Sequence, residues 1–169
     1  MASSLVQRVG DLLLGQEKRQ RVRATQVLLT WLIDALLGVI AGFCVWAGLV
    51  GALPAALWTG LTLAGVSAFY LAVRSGFNLR FTSDPALTLP QGVFSVFSAI
   101  SAYVMCGPVR GASLLALMLT LMFGMFALKP REVRGLSYFA VSLLGITMAA
   151  SHVLWPVQFP AREEAVHFM

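Results

Sequence analysis

From Val27 to Val50 the chain runs without a single Lys, Arg or Glu, and Asp34 is its one charged side chain. An α-helix needs about 20 apolar residues to cross the hydrocarbon of a bilayer. Lipid offers no hydrogen-bond partners to an open backbone, so a run of this kind must close its bonds internally, as a helix. Four more apolar runs follow, at Pro54–Val73, Gly92–Cys106, Ala112–Leu128 and Leu136–Trp155. The first, second and fifth have full spanning length; the fourth is at the lower limit and the third is marginal. Only 11% of residues are charged and 59% are hydrophobic, which excludes a domain built around one aqueous core. The expectation is an all-α integral membrane bundle of five transmembrane helices. The first run is too long for a signal-peptide core and lacks a cleavage site, so it stays as an anchor.

Charge divides the chain. Arg8, Lys18, Arg19, Arg21 and Arg23 precede the first run, against Asp11 and Glu17. With that end inside, Arg74, Arg80, Lys129, Arg131 and Arg134 also fall inside, and Arg110 and Arg162 remain outside. The positive-inside rule therefore predicts a cytoplasmic N-terminus. The net charge of +5 reflects this topology and an attraction to anionic headgroups of the lipid bilayer. Basic and aromatic residues are not interleaved as a nucleic-acid surface requires, so no nucleic-acid partner is expected. Residues 1–26 read as a cytoplasmic amphipathic and basic segment. Ser4 and Gln7 have capping-box spacing there, and Leu5, Val6, Val9, Leu12 and Leu13 form an apolar face for the inner leaflet. Residues 27–155 are the bundle, and 156–169 are an outer loop and the start of a sixth helix. Five spans leave the chain outside, and "REEAVHFM" turns from an acidic pair to apolar sequence as a sixth span would. The sequence is therefore expected to continue.

Asp34 lies about 12 Å of helix beyond the start of its span. A carboxylate at that depth costs a few kcal/mol and calls for a partner or water. Tyr70 and Arg74 are the candidates. A structural hydrogen bond between helices is the first reading, and a protonation-sensitive or ligand-contacting group the second. Ser142, Gly145, Ala149 and His152 share one helix face, as do Ser95, Ser98 and Ala102. Gly38 and Gly42 form a GxxxG step. All three stripes suit close helix packing, within a protomer or across a homodimer, and His152 is placed at an interface or an outward-facing cavity. Met118, Met122 and Met125 are assigned to core or lipid-facing packing. Cys44 and Cys106 read as buried thiols acting as small hydrophobes, with a disulfide as the alternative. Nucleotide-binding loops, nucleophile elbows and metal-ligand spacings are absent, so no catalytic residue, metal or cofactor is assigned to these residues.

One polar stretch, "RSGFNLRFTSDPALTLPQ" from Arg74 to Gln91, interrupts the apolar sequence. Gly76 is placed to end the second helix in a left-handed cap. Phe77, Leu79 and Phe81 alternate with Asn78, Arg80 and Thr82, as in an extended segment with one apolar face. Asp84 is placed to cap a short helix begun by Pro85, and Pro90 restarts the chain toward the third span. The stretch resembles the loop joining the second and third helices in the N-terminal membrane regions of bacterial diguanylate cyclases. Related Arg-Ser-Gly, Asn-Leu-Arg-Phe and Asp-Pro…Leu-Thr-Leu-Pro-Gln steps occur there, and a sixth helix and a cytoplasmic GGDEF domain follow. The resemblance implies a sensory and homodimer-forming input region in a bacterial inner membrane. Its signal would be a small hydrophobic ligand, a lipid or a membrane property. It makes Arg74, Asn78, Arg80, Asp84 and Pro85 a coupling loop, and places any GTP and magnesium site in the domain that follows. The input region of an adenylate cyclase or histidine kinase, a small transporter and a membrane scaffold are the alternatives.

Overall fold

A computed structural model describes residues 13–14, 17–82 and 84–168. The expected amphipathic helix, with its Ser4–Gln7 spacing, falls largely outside the described residues, as does Met169. Within the described set all regular structure is helical. The elements are α1 (Lys18–Trp46), α2 (Ala52–Arg74), α3 (Thr88–Met105), α4 (Gly111–Ala127), α5 (Pro130–Leu154) and α6 (Ala161–Phe168). Single 3-10 turns lie at Phe77–Arg80 and Gly107–Val109.

Four of these helices, α1, α2, α3 and α5, are long and apolar enough to cross a membrane, whereas α4 is apolar but has only 17 residues. The third apolar run gains its length by starting early, at Thr88. Pro90 is accommodated in that first turn, where a backbone N–H has no intrahelical acceptor to lose. Helix ends follow local chemistry. Gly48 takes φ 71° after α1, its N–H donates to Val45 O at 3.0 Å, and Leu49 N–H reaches back to Cys44 O at 2.9 Å. These bonds satisfy carbonyls that the helix end would leave open. At the start of α5, Pro130 follows Lys129, whose N–H donates to the Glu132 carboxylate at 2.9 Å.

The chain forms two compact units. One comprises the described residues of Met1–Ile40 with Thr59–Leu87. Ala24 and Val27 of α1 and Thr62, Val66 and Val73 of α2 are buried. The Trp31 indole donates to Ser67 Oγ at 3.2 Å. A Cβ at Gly38 would lie 2.6 Å from Thr59 Cγ2, so only glycine allows this approach of α1 to α2.

The other unit comprises Ala41–Trp58 with Thr88–Met169. Its core draws Val96, Ile100 and Tyr103 from α3, Leu117 from α4, and Leu136, Ala140, Leu144 and Met148 from α5. The four-residue interval on α5 keeps one face inward. Phe159, after α5, completes the core. A smaller cluster gathers Ala41, Val50 and Ala55 with Trp58, whose indole donates to Ser98 O at 2.9 Å.

Large apolar side chains point outward in numbers no aqueous surface would carry, among them Val39, Leu61 and Phe126. Met118, Met122 and Met125 are exposed too and take the lipid-facing role. Gly42 is exposed, with nothing within 4 Å of where a Cβ would sit. The two glycines of the GxxxG step thus differ: Gly38 serves packing inside the chain and Gly42 faces outward.

Candidate functional site

Two polar constellations stand out, one in each unit. The first organises the stretch after α2. Asn78 is 0% exposed. Its Nδ2 donates to Pro85 O at 2.6 Å and to Gln20 Oε1 at 3.1 Å, while its Oδ1 accepts from Gln20 Nε2 at 3.0 Å. Gln20 Nε2 also lies 3.4 Å from Val73 O, and Arg23 Nη1 donates to Gln20 Oε1 at 2.9 Å. A reciprocal amide pair therefore ties the start of α1, the end of α2 and the following loop together without any buried charge.

Two local expectations are corrected here. Phe77–Arg80 is a 3-10 turn, not an extended segment, because Gly76 at φ 78° turns the chain directly into it. Phe77, Leu79 and Phe81 are exposed, as an interfacial face needs, yet Asn78 turns fully inward rather than joining a polar face. The short helix begun by Pro85 is also absent. Instead Leu87 N–H donates to Asp84 O at 3.0 Å, closing one turn with Pro85 at its second position. Leu87 then adopts φ 55°, a left-handed conformation through which no α-helix continues. Arg80 lies over the Phe77 ring, 5.1 Å from its centroid.

The second constellation surrounds Arg110, which follows the Gly107–Val109 turn and is 4% exposed. Its Nη1 donates to Gly107 O at 3.1 Å and Gln158 O at 3.2 Å. Its Nη2 donates to Glu163 Oε2 at 2.6 Å and lies 3.1 Å from Glu164 Oε1. That second carboxylate is at ion-pair distance but outside hydrogen-bond geometry, and Arg110 Nε and Glu164 Oε1 are both buried without a hydrogen bond among the described residues. The guanidinium also lies 5.0 Å from the Phe159 ring centroid. Tyr103 donates to Glu164 Oε2 at 2.9 Å and meets His167 Nδ1 at 2.8 Å. With the hydroxyl proton directed at Glu164, His167 Nδ1 must be the donor of the other contact. Burial alone would lower the Arg110 pKa; the Tyr103 hydroxyl and the Glu163 and Glu164 carboxylates outweigh it and hold it above the ordinary value. Its stabilising contribution is therefore full throughout acid and neutral conditions and would fade only at strongly alkaline pH.

The remaining candidates are dispersed. Asp34 is half-buried and has no hydrogen-bond or ionic partner among the described residues, and Tyr70 donates instead to Leu13 O at 2.7 Å. His152 Nδ1 lies 2.8 Å from Phe159 O, which makes that nitrogen the protonated one. Gly145, on the same face, receives the Phe168 ring, 3.1 Å from where a Cβ would sit, while Ser142 and Ala149 are exposed. Ser95 is half-buried on α3. Cys44 and Cys106 are free thiols, each half-buried. No group of three metal-ligating side chains occurs among the described residues.

Gln20, Tyr103, Arg110 and Glu164 were not singled out by sequence reading. Gln20 had a usable signal, since it shares a helix face with buried Ala24 and Val27 at i, i+4 and i+7. Arg110 had none, because its partners lie some fifty residues away. Fold and polar sites together define an all-helical protein with helices suited to a membrane. No family model, curated protein or solved structure matches the chain.

Proposed function

We propose that this chain is the membrane-embedded input region of a bacterial signalling cyclase, in the first place a diguanylate cyclase whose GTP- and magnesium-dependent domain follows in the complete protein. The bundle sits in the inner membrane with its N-terminus in the cytoplasm, forms a homodimer, and responds to a small hydrophobic ligand, a lipid or a membrane property. An input of this kind acts only through a difference in free energy between two helix arrangements.

The observation that carries this reading is the Arg74–Gln91 stretch. It resembles the corresponding cyclase loop, and it is a built structure: Asn78 is buried and grips Gln20 and Pro85. A mere connector needs no buried amide pair. Exposed Phe77, Leu79 and Phe81 serve as interfacial anchors, and the guanidinium of Arg80 offers a planar donor to phosphates or to carboxylates of the output domain. The test replaces residues 76–87 in the complete protein with a Gly-Ser loop of equal length and measures cellular cyclic-di-GMP. Altered output at normal membrane insertion supports the reading; wild-type output and response make the stretch a connector.

A further inference from the structure

The helix α6 is built inside out for a water-facing segment. Glu164 is 6% exposed and His167 is half-buried, whereas Val166 is 67% exposed. Its polar groups face the protein and its apolar groups face away. An eight-residue helix is unstable alone, so α6 persists through its docking. That docking is chiefly ionic. Phe159, at the head of the segment, is the apolar anchor at 2% exposure, and Phe168 contributes only one ring edge over Gly145.

We propose that residues 155–168 form a charge-held strap, docked by Arg110 and released when Glu163 and Glu164 lose their charge. Arg110 is fixed by the carbonyls of Gly107 and Gln158, so it presents Nη2 to both carboxylates from a set position. The ionisable groups around it are Tyr103 from α3, Glu163, Glu164 and His167 from α6, and His152 of α5, bound to Phe159 O. Arg162 is exposed. At neutral pH the two carboxylates outnumber the one guanidinium. Acid neutralises both carboxylates and charges His167, while Arg110 keeps its proton, so attraction becomes repulsion among cations. Two buried atoms without hydrogen bonds, Arg110 Nε and Glu164 Oε1, leave the docked state without surplus hydrogen bonding to offset that loss. Phe159 remains seated and acts as the hinge.

The strap deepens the signalling reading, since the proposed orientation puts it on the outer side and makes acidity the signal that it senses. The experiment is hydrogen–deuterium exchange on the complete protein in lipid nanodiscs, corrected for the intrinsic chemical rate. Amides of 161–168 are expected to exchange about tenfold faster at about pH 4, within the ordinary carboxylate range, than at about pH 7.5, with α5 unchanged. Glu164→Gln should show the fast exchange already at neutral pH and lose most of the pH response. Should that variant also loosen α5, the exposed Glu163→Gln decides, with faster exchange confined to 161–168 upholding the strap. Wild-type exchange that ignores pH, or protection in both variants equal to wild type, overturns it. Cyclic-di-GMP measured on the same samples separates the two claims. A strap that opens without changing output stands as a strap and removes the signalling role.

Discussion

Asn78 and Arg110 are both polar side chains hidden almost wholly from solvent, and they are held in opposite ways. Asn78 sits in a neutral lattice of amides and carbonyls with its donors and acceptor engaged at 2.6 to 3.1 Å. Arg110 sits among charges, with one carboxylate exposed, one buried, and two atoms lacking hydrogen bonds. A neutral network does not titrate and is lost only by mutation. A buried ion pair depends on both partners, because removing one leaves the other charged in a poorly solvating place. The comparison assigns rigidity to the loop after α2 and conditional order to α6.

The largest effect should come from breaking the charged cluster on one side. Arg110→Leu strands Glu164 and should destabilise its unit by about 3–5 kcal/mol, read as a lowered Tm in detergent. Arg110→Leu combined with Glu164→Leu should recover much of the loss, because no buried charge is then left alone. Recovery of nothing would mean that Arg110 acts by packing on Phe159 rather than by charge.

Asn78→Ala should cost about 1–3 kcal/mol, the range for stranding a buried amide and carbonyl, and the loss should not vary between neutral and mildly acidic pH. A double-mutant cycle with Gln20→Ala should show coupling of about 0.5–3 kcal/mol. Additive losses would mean that the two amides do not support one another.

Smaller still is the effect at the GxxxG step. Gly38→Ala drives a methyl against Thr59 Cγ2 and should cost about 1–3 kcal/mol, whereas Gly42→Ala should stay within about 0.5 kcal/mol in the protomer. A Gly42→Ala loss that grows with protein concentration would place that face in a homodimer.

The helices were legible because lipid leaves an apolar run little else to become. The start of α3 at Thr88 was less so, since hydropathy fades across Thr88–Gln91 while the backbone is already helical. In the loop, alternation over Phe77–Thr82 was too short to separate a strand from a 3-10 turn, and the deciding contact comes from Gln20, far back in the chain. The end of α2 was readable from Gly76, because a left-handed cap is a property of one residue. Asp34 was conspicuous by type, yet its depth says nothing of who stands beside it. The Arg110 cluster was invisible for the complementary reason. A lone arginine and a distant acidic pair each read as solvated charge until the fold brings them together.

The account centres on the Gln20–Asn78 clamp as the element that transmits the state of the membrane helices. Its most direct test is cyclic-di-GMP production by the complete protein carrying Gln20→Leu and Asn78→Leu together, at matched membrane level. The account predicts output changed severalfold and no longer responsive to conditions that alter wild-type activity. Output and response equal to wild type, with the helices inserted normally, would contradict it.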